Sequence, residues 1–238
     1  ENCVPGDLLN VFLYLDNEER LIATTLTPLV QVGEFACLEV AWVNEFGAFL
    51  NWGLMKDLFV PFREQKMKMQ VGKSYVVHAH IDEESYRIVA SAKIERYLSK
   101  ETPTYQAGAE VDILIWQKTD LGFKAIIDQQ FPGLLYDSEI FQSLRTGMTL
   151  KAFVKQVRPD GKIDLILQKP GAAKVDDFAS SLLDYIKEHG GAVKLNDKTP
   201  ADDIYQIFGV SKKTFKKAVG DLYKKHLIVL TDNGLKLA

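Results

Sequence analysis

The sequence lacks the features that mark exported, membrane-spanning or disulfide-linked proteins. Its 238 residues contain two cysteines, Cys3 and Cys37, and these have neither metal-ligand nor redox-motif spacing. No apolar run approaches the roughly 20 residues that a membrane-spanning helix requires, and no basic segment followed by an apolar stretch marks an export signal. We therefore expect a cytoplasmic protein that has no membrane partner.

A recognisable catalytic site is also absent from the sequence. There is no glycine-rich phosphate loop, no Gly-x-Ser-x-Gly motif and no histidine paired with a nucleophile signature. His78, His80 and Asp82 alternate along a predicted strand and could share one face. Paired outward histidines are usually solvated, so we predict no metal site here. We also predict that the protein has no cofactor and, because it lacks a catalytic motif, that it is not an enzyme.

Basic residues are fewer than acidic residues over the whole chain, but lysines are concentrated in one segment. The formal net charge is −3, which argues against a strong non-specific polyanion binder. Between Ser211 and His226, however, lysines predominate and Asp221 is the one acidic residue of the segment. The lysines of this segment are Lys212, Lys213, Lys216, Lys217, Lys224 and Lys225.

One pattern of two alternating segments around a polar turn occurs three times, each time after a glycine. The copies span residues 6–25, 72–91 and 147–167, and each predicts a β-hairpin. Upstream of the second and third copies, residues 35–64 and 111–139 share a block that predicts three short strands. Five strands in about 70 residues are typical of the OB-type barrel, which binds oligonucleotides on the face of its second and third strands.

Beyond Pro170 and Gly171 the sequence changes from alternating to helical patterns. Apolar residues recur at helical spacing over residues 176–188 and predict a first helix. Thr199 is expected to cap a second helix, which would run to residue 208. The chain therefore changes fold class after its β modules.

The remaining segments complete the pattern of a winged helix. Ser211 is predicted to cap a third helix over residues 212–225, and residues 228–237 predict a hairpin that turns at residues 232–234. In a helix-turn-helix the last helix of the pair enters the groove of the nucleic acid. This helix has no Arg, Asn or Gln for base readout. We expect contacts to the nucleic-acid backbone from Lys212, Lys213, Lys216 and Lys217, or else a solvated basic face on a protein-docking domain.

Two short motifs and the order of the modules allow a comparison with known families. Phe46-Gly47-Ala48-Phe49, residues 58–64 and the turn from Asp82 to Arg87 resemble the S1 RNA-binding domain, and residues 133–139 are similar to its third-strand segment. Tandem modules of this kind before the C-terminal block resemble the bacterial conserved virulence factor B family. The resemblance implies a mainly β fold with an α+β C-terminal domain, in which tandem five-stranded OB-type S1-like barrels precede a winged helix.

The same resemblance implies domain boundaries and an RNA-binding face on each complete barrel. The expected domains are the C-terminal part of a truncated S1-like domain at 1–27, S1-like OB domains at 28–100 and 101–171, and a winged-helix domain at 172–238. In the second module the RNA-binding roles fall on Phe46, Phe49, Pro61, Asp82 and Arg87, with Pro61 in place of the usual His. In the third module the corresponding residues are Leu121, Lys124, Tyr136 and Lys162.

The aromatic pair needs an irregular strand in order to form one surface. Phe46 and Phe49 would lie on opposite faces of a regular strand, and a β-bulge at Gly47 would bring both rings to the same face. There they could stack on bases, whereas the alternative places both rings in the core. Core positions are predicted for Phe35, Phe59, Phe123 and Phe153, and Trp52 is expected to pack rather than to stack on a base.

The sequence therefore predicts a regulatory protein that binds single-stranded RNA through its S1-like barrels. The basic winged helix would add backbone contacts. Two alternatives stay open. One is a transcription regulator that reads duplex DNA through the winged helix, and the other is a protein-docking adaptor whose degenerate barrels bind no nucleic acid.

Overall fold

The computed structural model describes residues 4, 6–16, 18–140, 142–168, 173–231 and 234–238. The expectations that involve Cys3, the boundary at Pro170 and Gly171, and residues 232–233 of the last turn fall outside the described residues. Within the described ranges, no helix combines the length and the apolar character that crossing a membrane would need.

A short hairpin and two five-stranded barrels precede the helical domain. The hairpin consists of β1 (Phe12–Leu15) and β2 (Leu21–Thr24). The first barrel consists of β3 (Phe35–Val43), β4 (Gly47–Leu50), β5 (Leu58–Pro61), β6 (Ser74–Ile81) and β7 (Ile88–Ser91). The second barrel consists of β8 (Glu110–Thr119), β9 (Gly122–Ile127), β10 (Phe131–Tyr136), β11 (Thr149–Val157) and β12 (Ile163–Ile166).

Both barrels close with the same order of strands. The first pairs β3, β4, β5, β7 and β6 in sequence around the barrel, and the second pairs β8, β9, β10, β12 and β11 in the same way. All of these pairs are antiparallel except the third with the fifth strand, where Phe59 lies opposite Val89 and Leu134 lies opposite Asp164. The predicted tandem five-stranded barrels are therefore confirmed.

The β-bulge predicted at Gly47 is wrong, because the irregularity lies on the neighbouring strand. The register of β3 against β4 shifts between Val40 and Trp42. Gly47 itself pairs in register with Pro61, and a Cβ atom there would lie 2.2 Å from the carbonyl oxygen of Val60. The glycine is thus required by the close approach of β4 and β5.

Most of the phenylalanines predicted as barrel core are not inside a barrel. Phe35 is buried, but between the two barrels. Phe59 and Phe153 are half-buried, because their neighbours along the strand point inward and these two rings point outward. Phe123 packs at the edge of the second core, with the Lys118 ammonium group 4.4 Å from its ring centroid.

An apolar interface joins the two barrels. Its buried side chains come from both barrels and the segment between them: Phe35, Val76, Ile94, Leu98, Leu114, Trp116 and Ile126. The Gln129 side chain adds two hydrogen bonds to the backbone of Phe35. Its Oε1 accepts from the N–H at 2.7 Å, and its Nε2 donates to the carbonyl oxygen at 3.1 Å. The barrels are therefore docked on one another.

The C-terminal elements form the predicted winged helix. They are α1 (Ala173–Glu188), β13 (Ala192–Val193), α2 (Ala201–Phe208), α3 (Lys212–Lys224), β14 (Ile228–Thr231) and β15 (Gly234–Leu237). The three strands pair in the order β13, β15, β14. Two residues are too few to show an alternating pattern, so β13 was not predicted.

The helix caps agree with the sequence at one of two positions. Ser211 caps α3 as predicted, since its hydroxyl oxygen accepts a hydrogen bond from the N–H of Thr214 at 3.1 Å. The cap predicted at Thr199 is wrong. Its hydroxyl instead accepts a hydrogen bond from the N–H of Asn196 at 2.9 Å, and Pro200 takes the N-cap position of α2.

Gly47→Ala is expected to destabilise the first barrel by about 1–3 kcal/mol, because the added methyl group would overlap the carbonyl oxygen of Val60. Gly220→Ala in α3 is a control for which the opposite change in stability is expected. No atom lies within 4 Å of the added methyl group there, so a gain of up to about 1 kcal/mol is expected. Thermal unfolding measures both variants, and wild-type stability of Gly47→Ala would contradict the close approach of the strands.

Candidate nucleic-acid interface

An open cleft of about 650 Å³ lies between the first barrel and the β1–β2 hairpin. Three of the residues predicted to bind RNA line it together, namely Phe46, Phe49 and Arg87. Phe59 also lines it, which explains why this ring is not in the core. We call this site the aromatic cleft. The Phe46 ring projects from the turn before β4 and is 65% exposed, so a face of the ring is available to a ligand.

Phe49 is the centre of a stack of rings. Trp42 lies parallel to it, with ring centroids 3.7 Å apart and an interplanar angle of 1°. Phe59 packs on it at 4.8 Å with a tilt of 34°. The Trp42 indole N–H donates to Asp57 Oδ2 at 2.9 Å, which fixes the orientation of the stack. Trp42 was missed by the sequence analysis because its contact with Phe49 depends on the register shift in β3.

Asp82 does not line the aromatic cleft. Its carboxylate accepts hydrogen bonds from the N–H and hydroxyl groups of Ser85 and from Arg63 Nη2 at 2.7 Å. The Ser85 hydrogen bonds, together with the Arg63 charge, hold the pKa of Asp82 below its usual range. Asp82 thus orders the turn between β6 and β7, and through that turn it positions Arg87.

A second cleft, of about 710 Å³, lies on the equivalent face of the second barrel. All four residues that the sequence assigned to this face line it: Leu121, Lys124, Tyr136 and Lys162. Lys124 pairs across β9 and β10 with Leu134, in the way that Phe49 pairs with Phe59. We call this site the cationic cleft, because Lys100 and Arg158 also line it.

Arg158 lines the cationic cleft, and the sequence analysis did not single it out. Its guanidinium group holds the buried Asp164 carboxylate, with Nη2 2.7 Å from Oδ1, and also donates to the hydroxyl of Tyr136. Burial acts to raise the pKa of Asp164, but the hydrogen bonds from Arg158 and Gln156 hold it below its usual range. Arg158 therefore fixes the Tyr136 ring. Its place just before the third hairpin turn was the available signal.

Lys124 is also held by contacts that cross between the barrels. Its ammonium group and that of Lys66 each lie 5.0 Å from the ring centroid of Trp116. Glu95 lies 2.7 Å from Lys66 and 3.9 Å from Lys124. No local pattern predicts this cluster, because Lys66 belongs to the first barrel and Lys124 to the second.

The two clefts differ in charge. The charged residues that line the cationic cleft are Lys100, Lys124, Arg158 and Lys162 against Glu95 and Asp120. Those that line the aromatic cleft are Lys56 and Arg87 against Asp57. Both linings thus have a surplus of positive charge, which is larger in the cationic cleft, and the aromatic cleft is distinguished mainly by its rings.

The lysines predicted to contact nucleic acid lie on the outer face of α3. Lys213, Lys216 and Lys217 are exposed and Lys212 is half-buried, while Phe215 packs in the core of the winged helix. None of these four lysines forms an ion pair with a described carboxylate. Their ammonium groups are available to an anionic partner.

His78 and His80 lie beside the interface between the barrels, so the expectation that they are solvated is wrong. His78 stacks on Tyr97 with centroids 4.1 Å apart, and His80 Nε2 lies 3.2 Å from the Tyr97 hydroxyl. Burial lowers the pKa of His78 to about 4. The described residues contain no group of three His, Cys, Asp or Glu side chains that could hold a metal ion.

Comparisons with known proteins match both ends of the chain to domain families. Residues 180–237 match the CvfB-like winged helix domain, and residues 1–26 match the S1 domain. YitL of Bacillus subtilis, which is described as uncharacterized, is 30% identical over 235 residues, which cover 94% of this chain and 78% of YitL.

Two further comparisons extend over nearly the whole chain. Conserved virulence factor B of Staphylococcus aureus is 22% identical over 233 residues, which cover 94% of this chain and 77% of that protein. A solved structure from Streptococcus pneumoniae, described as a multidomain protein with nucleic acid binding domains, is 25% identical. The match covers 100% of this chain and 87% of that chain with a TM-score of 0.40.

Asp164→Asn is expected to lower the melting temperature by several degrees at pH 7, because it leaves the Arg158 charge without its buried partner. The folded-state pKa of Asp164 is lowered. Its stabilising contribution is therefore present above the unfolded pKa near 4 and is lost as the pH falls through the folded pKa.

The difference between wild type and Asp164→Asn should accordingly shrink on acidification, which thermal unfolding across the pH range measures. Asp160→Asn is the control, since it removes an exposed carboxylate that is paired with Lys162. Its effect at pH 7 is expected to be much smaller. A pH-independent difference for Asp164→Asn would contradict the ion-pair assignment.

Proposed function

This chain belongs to the conserved virulence factor B family, and from that premise we propose that it binds single-stranded RNA through the aromatic and cationic clefts. The main support for the proposal is one observation. Residues that were predicted to bind RNA, and that are far apart in the sequence, line the same cleft in each barrel. They are Phe46, Phe49 and Arg87 in the first barrel, and Lys124, Tyr136 and Lys162 in the second.

The aromatic cleft supplies stacking in this proposal. A base that stacks on an aromatic side chain contributes about 1–3 kcal/mol, and the exposed ring of Phe46 offers such a face. The Trp42 stack holds the Phe49 ring in place before any ligand arrives. Bases of a single strand can turn toward these rings, whereas bases in a duplex are already stacked on one another. The chemistry of the cleft therefore favours an unpaired strand.

The cationic cleft supplies phosphate contacts. Lys162 is strongly exposed and Lys124 partly so, and lysine binds phosphate as a point charge. Phosphate contacts release counterions, so binding is expected to weaken as the salt concentration rises. Because the barrels are docked, a strand held in one cleft is presented to the other at a high effective concentration.

The winged helix adds contacts to the RNA backbone through Lys212, Lys213, Lys216 and Lys217. These residues suit backbone contacts rather than base readout, and α3 carries no Arg, Asn or Gln. The proposal is therefore a regulatory RNA-binding protein rather than a reader of specific duplex DNA sites. It includes no catalytic step, and the names of the two matched domain families indicate none.

A protein-docking role for the winged helix is a second candidate, which one observation favours. Val229 and Leu230 on β14 and Tyr223 at the end of α3 are exposed apolar or aromatic side chains. Exposed apolar side chains are more typical of protein contacts than of contacts with a polyanion. In this candidate the barrels bind RNA and the winged helix binds a protein.

Phe46→Ala is expected to weaken binding of a short single-stranded RNA roughly tenfold, because it removes one stacked base. Fluorescence anisotropy with labelled RNA at low salt measures the change. Phe62→Ala is the matched control, since this ring is also exposed but lies outside both clefts. If the Phe46→Ala/Phe49→Ala double variant binds as tightly as wild type, the stacking claim is wrong.

A further inference from the structure

The β1–β2 hairpin forms the second wall of the aromatic cleft. Leu13 and Leu15 of β1 and Leu21 of β2 line the cleft opposite the rings of the first barrel. The hairpin belongs to the residues that match the S1 domain, whereas the rings belong to the following barrel. The cleft is therefore a composite of two modules, and a ligand would contact both walls.

Three kinds of contact hold the hairpin against the barrel. Phe12 and Tyr14 meet the Trp52 ring edge-on, at centroid distances of 5.6 and 6.3 Å. The Lys56 ammonium group donates to the backbone carbonyl oxygen of Asp16 at 2.8 Å. Trp52 is buried beneath the hairpin, in agreement with its predicted packing role. These contacts place the turn of the hairpin beside Arg87.

The third contact is an ion pair between Glu19 and Arg87. The turn that carries Glu19 is built by Asp16, whose carboxylate accepts hydrogen bonds from the backbone N–H of Glu18 at 2.8 Å and of Arg20 at 2.9 Å. Both partners of the ion pair are partly exposed, at 62% for Glu19 and 46% for Arg87. The pair is therefore accessible to competing anions.

Both cations of the aromatic cleft already have an oxygen partner. Lys56 donates to a backbone carbonyl oxygen, and Arg87 faces the Glu19 carboxylate. A phosphate group can bind Arg87 with full strength only if it displaces Glu19, because two anions at one guanidinium group repel each other. In the cationic cleft Lys162 also has a carboxylate partner, Asp160, but this partner belongs to its own turn and not to another module.

We propose that Glu19 competes with an RNA phosphate for Arg87 and thereby limits the affinity and the salt dependence of binding at the aromatic cleft. The inference rests on the proposed RNA-binding function. Glu19 lies outside the barrel that contains the aromatic rings, and in this proposal its charge opposes RNA binding at the cleft. Removing the Glu19 charge should therefore strengthen RNA binding.

Glu19→Gln in the full chain tests this inference, with Glu18→Gln as the matched control. Both variants remove one negative charge from the same turn, but Glu18 pairs with Arg20 and not with Arg87. Glu19→Gln is expected to tighten binding of a labelled single-stranded RNA roughly three- to tenfold at low salt. It should also steepen the dependence of log affinity on log salt by about 0.7, the value for one additional phosphate contact.

The dependence on Arg87 is tested by repeating both substitutions in an Arg87→Gln background. There the gain from Glu19→Gln should fall to that of Glu18→Gln. Equal gains for the two variants in the wild-type background, or a gain that persists without Arg87, would overturn the inference while RNA binding itself stands. RNA binding by neither wild type nor Glu19→Gln would overturn both the inference and the proposed function.

Discussion

Both clefts depend on the parallel pairing that closes each barrel. The third and fifth strands meet at Phe59 and Val89 in the first barrel, and at Leu134 and Asp164 in the second. This pairing places the face of the second and third strands beside the end of the hairpin that leads into the fifth strand. Arg87 and Lys162, at the ends of those hairpins, thereby reach the clefts.

The two barrels keep one framework and differ in the chemistry of their faces. Gly47 and Gly122 occupy the same register position, where a Cβ atom would overlap a carbonyl oxygen of the facing strand. Around these glycines the side chains diverge, so that the ring of Phe49 is replaced by the ammonium group of Lys124. A single strand that contacts both barrels would meet stacking surfaces on one and phosphate-binding charges on the other.

The sequence predicted what depends on local patterns. The glycine-started hairpins and the alternating segments predicted two barrels. The resemblance to the S1 domain placed Lys124, Tyr136 and Lys162 on one face, and they line one cleft. Residues whose positions depend on long-range contacts were missed or misplaced. Trp42 reaches Phe49 through a register shift, and His78 is buried against Phe35, which packs between the barrels.

Local patterns also carried no information on the docking of the hairpin. Glu19 is 68 residues from Arg87, and the two meet because Tyr14 and Trp52 pack together. Arg87 is therefore not a free phosphate ligand, because its guanidinium group is already paired with the Glu19 carboxylate. A charge from a neighbouring module therefore contributes to the electrostatics of the aromatic cleft.

The central claim is that one RNA strand uses both clefts. It is tested most directly by the affinities of single-stranded RNAs of about 4 and about 16 nucleotides, the range of site sizes for such barrels. The measurement compares wild type with Lys124→Ala/Lys162→Ala and with a control pair in the same barrel, Lys151→Ala/Lys155→Ala, which lies outside the cleft. The account predicts that the longer RNA binds wild type much more tightly than the shorter one, and that the cleft variant loses most of this advantage while the control keeps it. Equal losses in the two variants would contradict it.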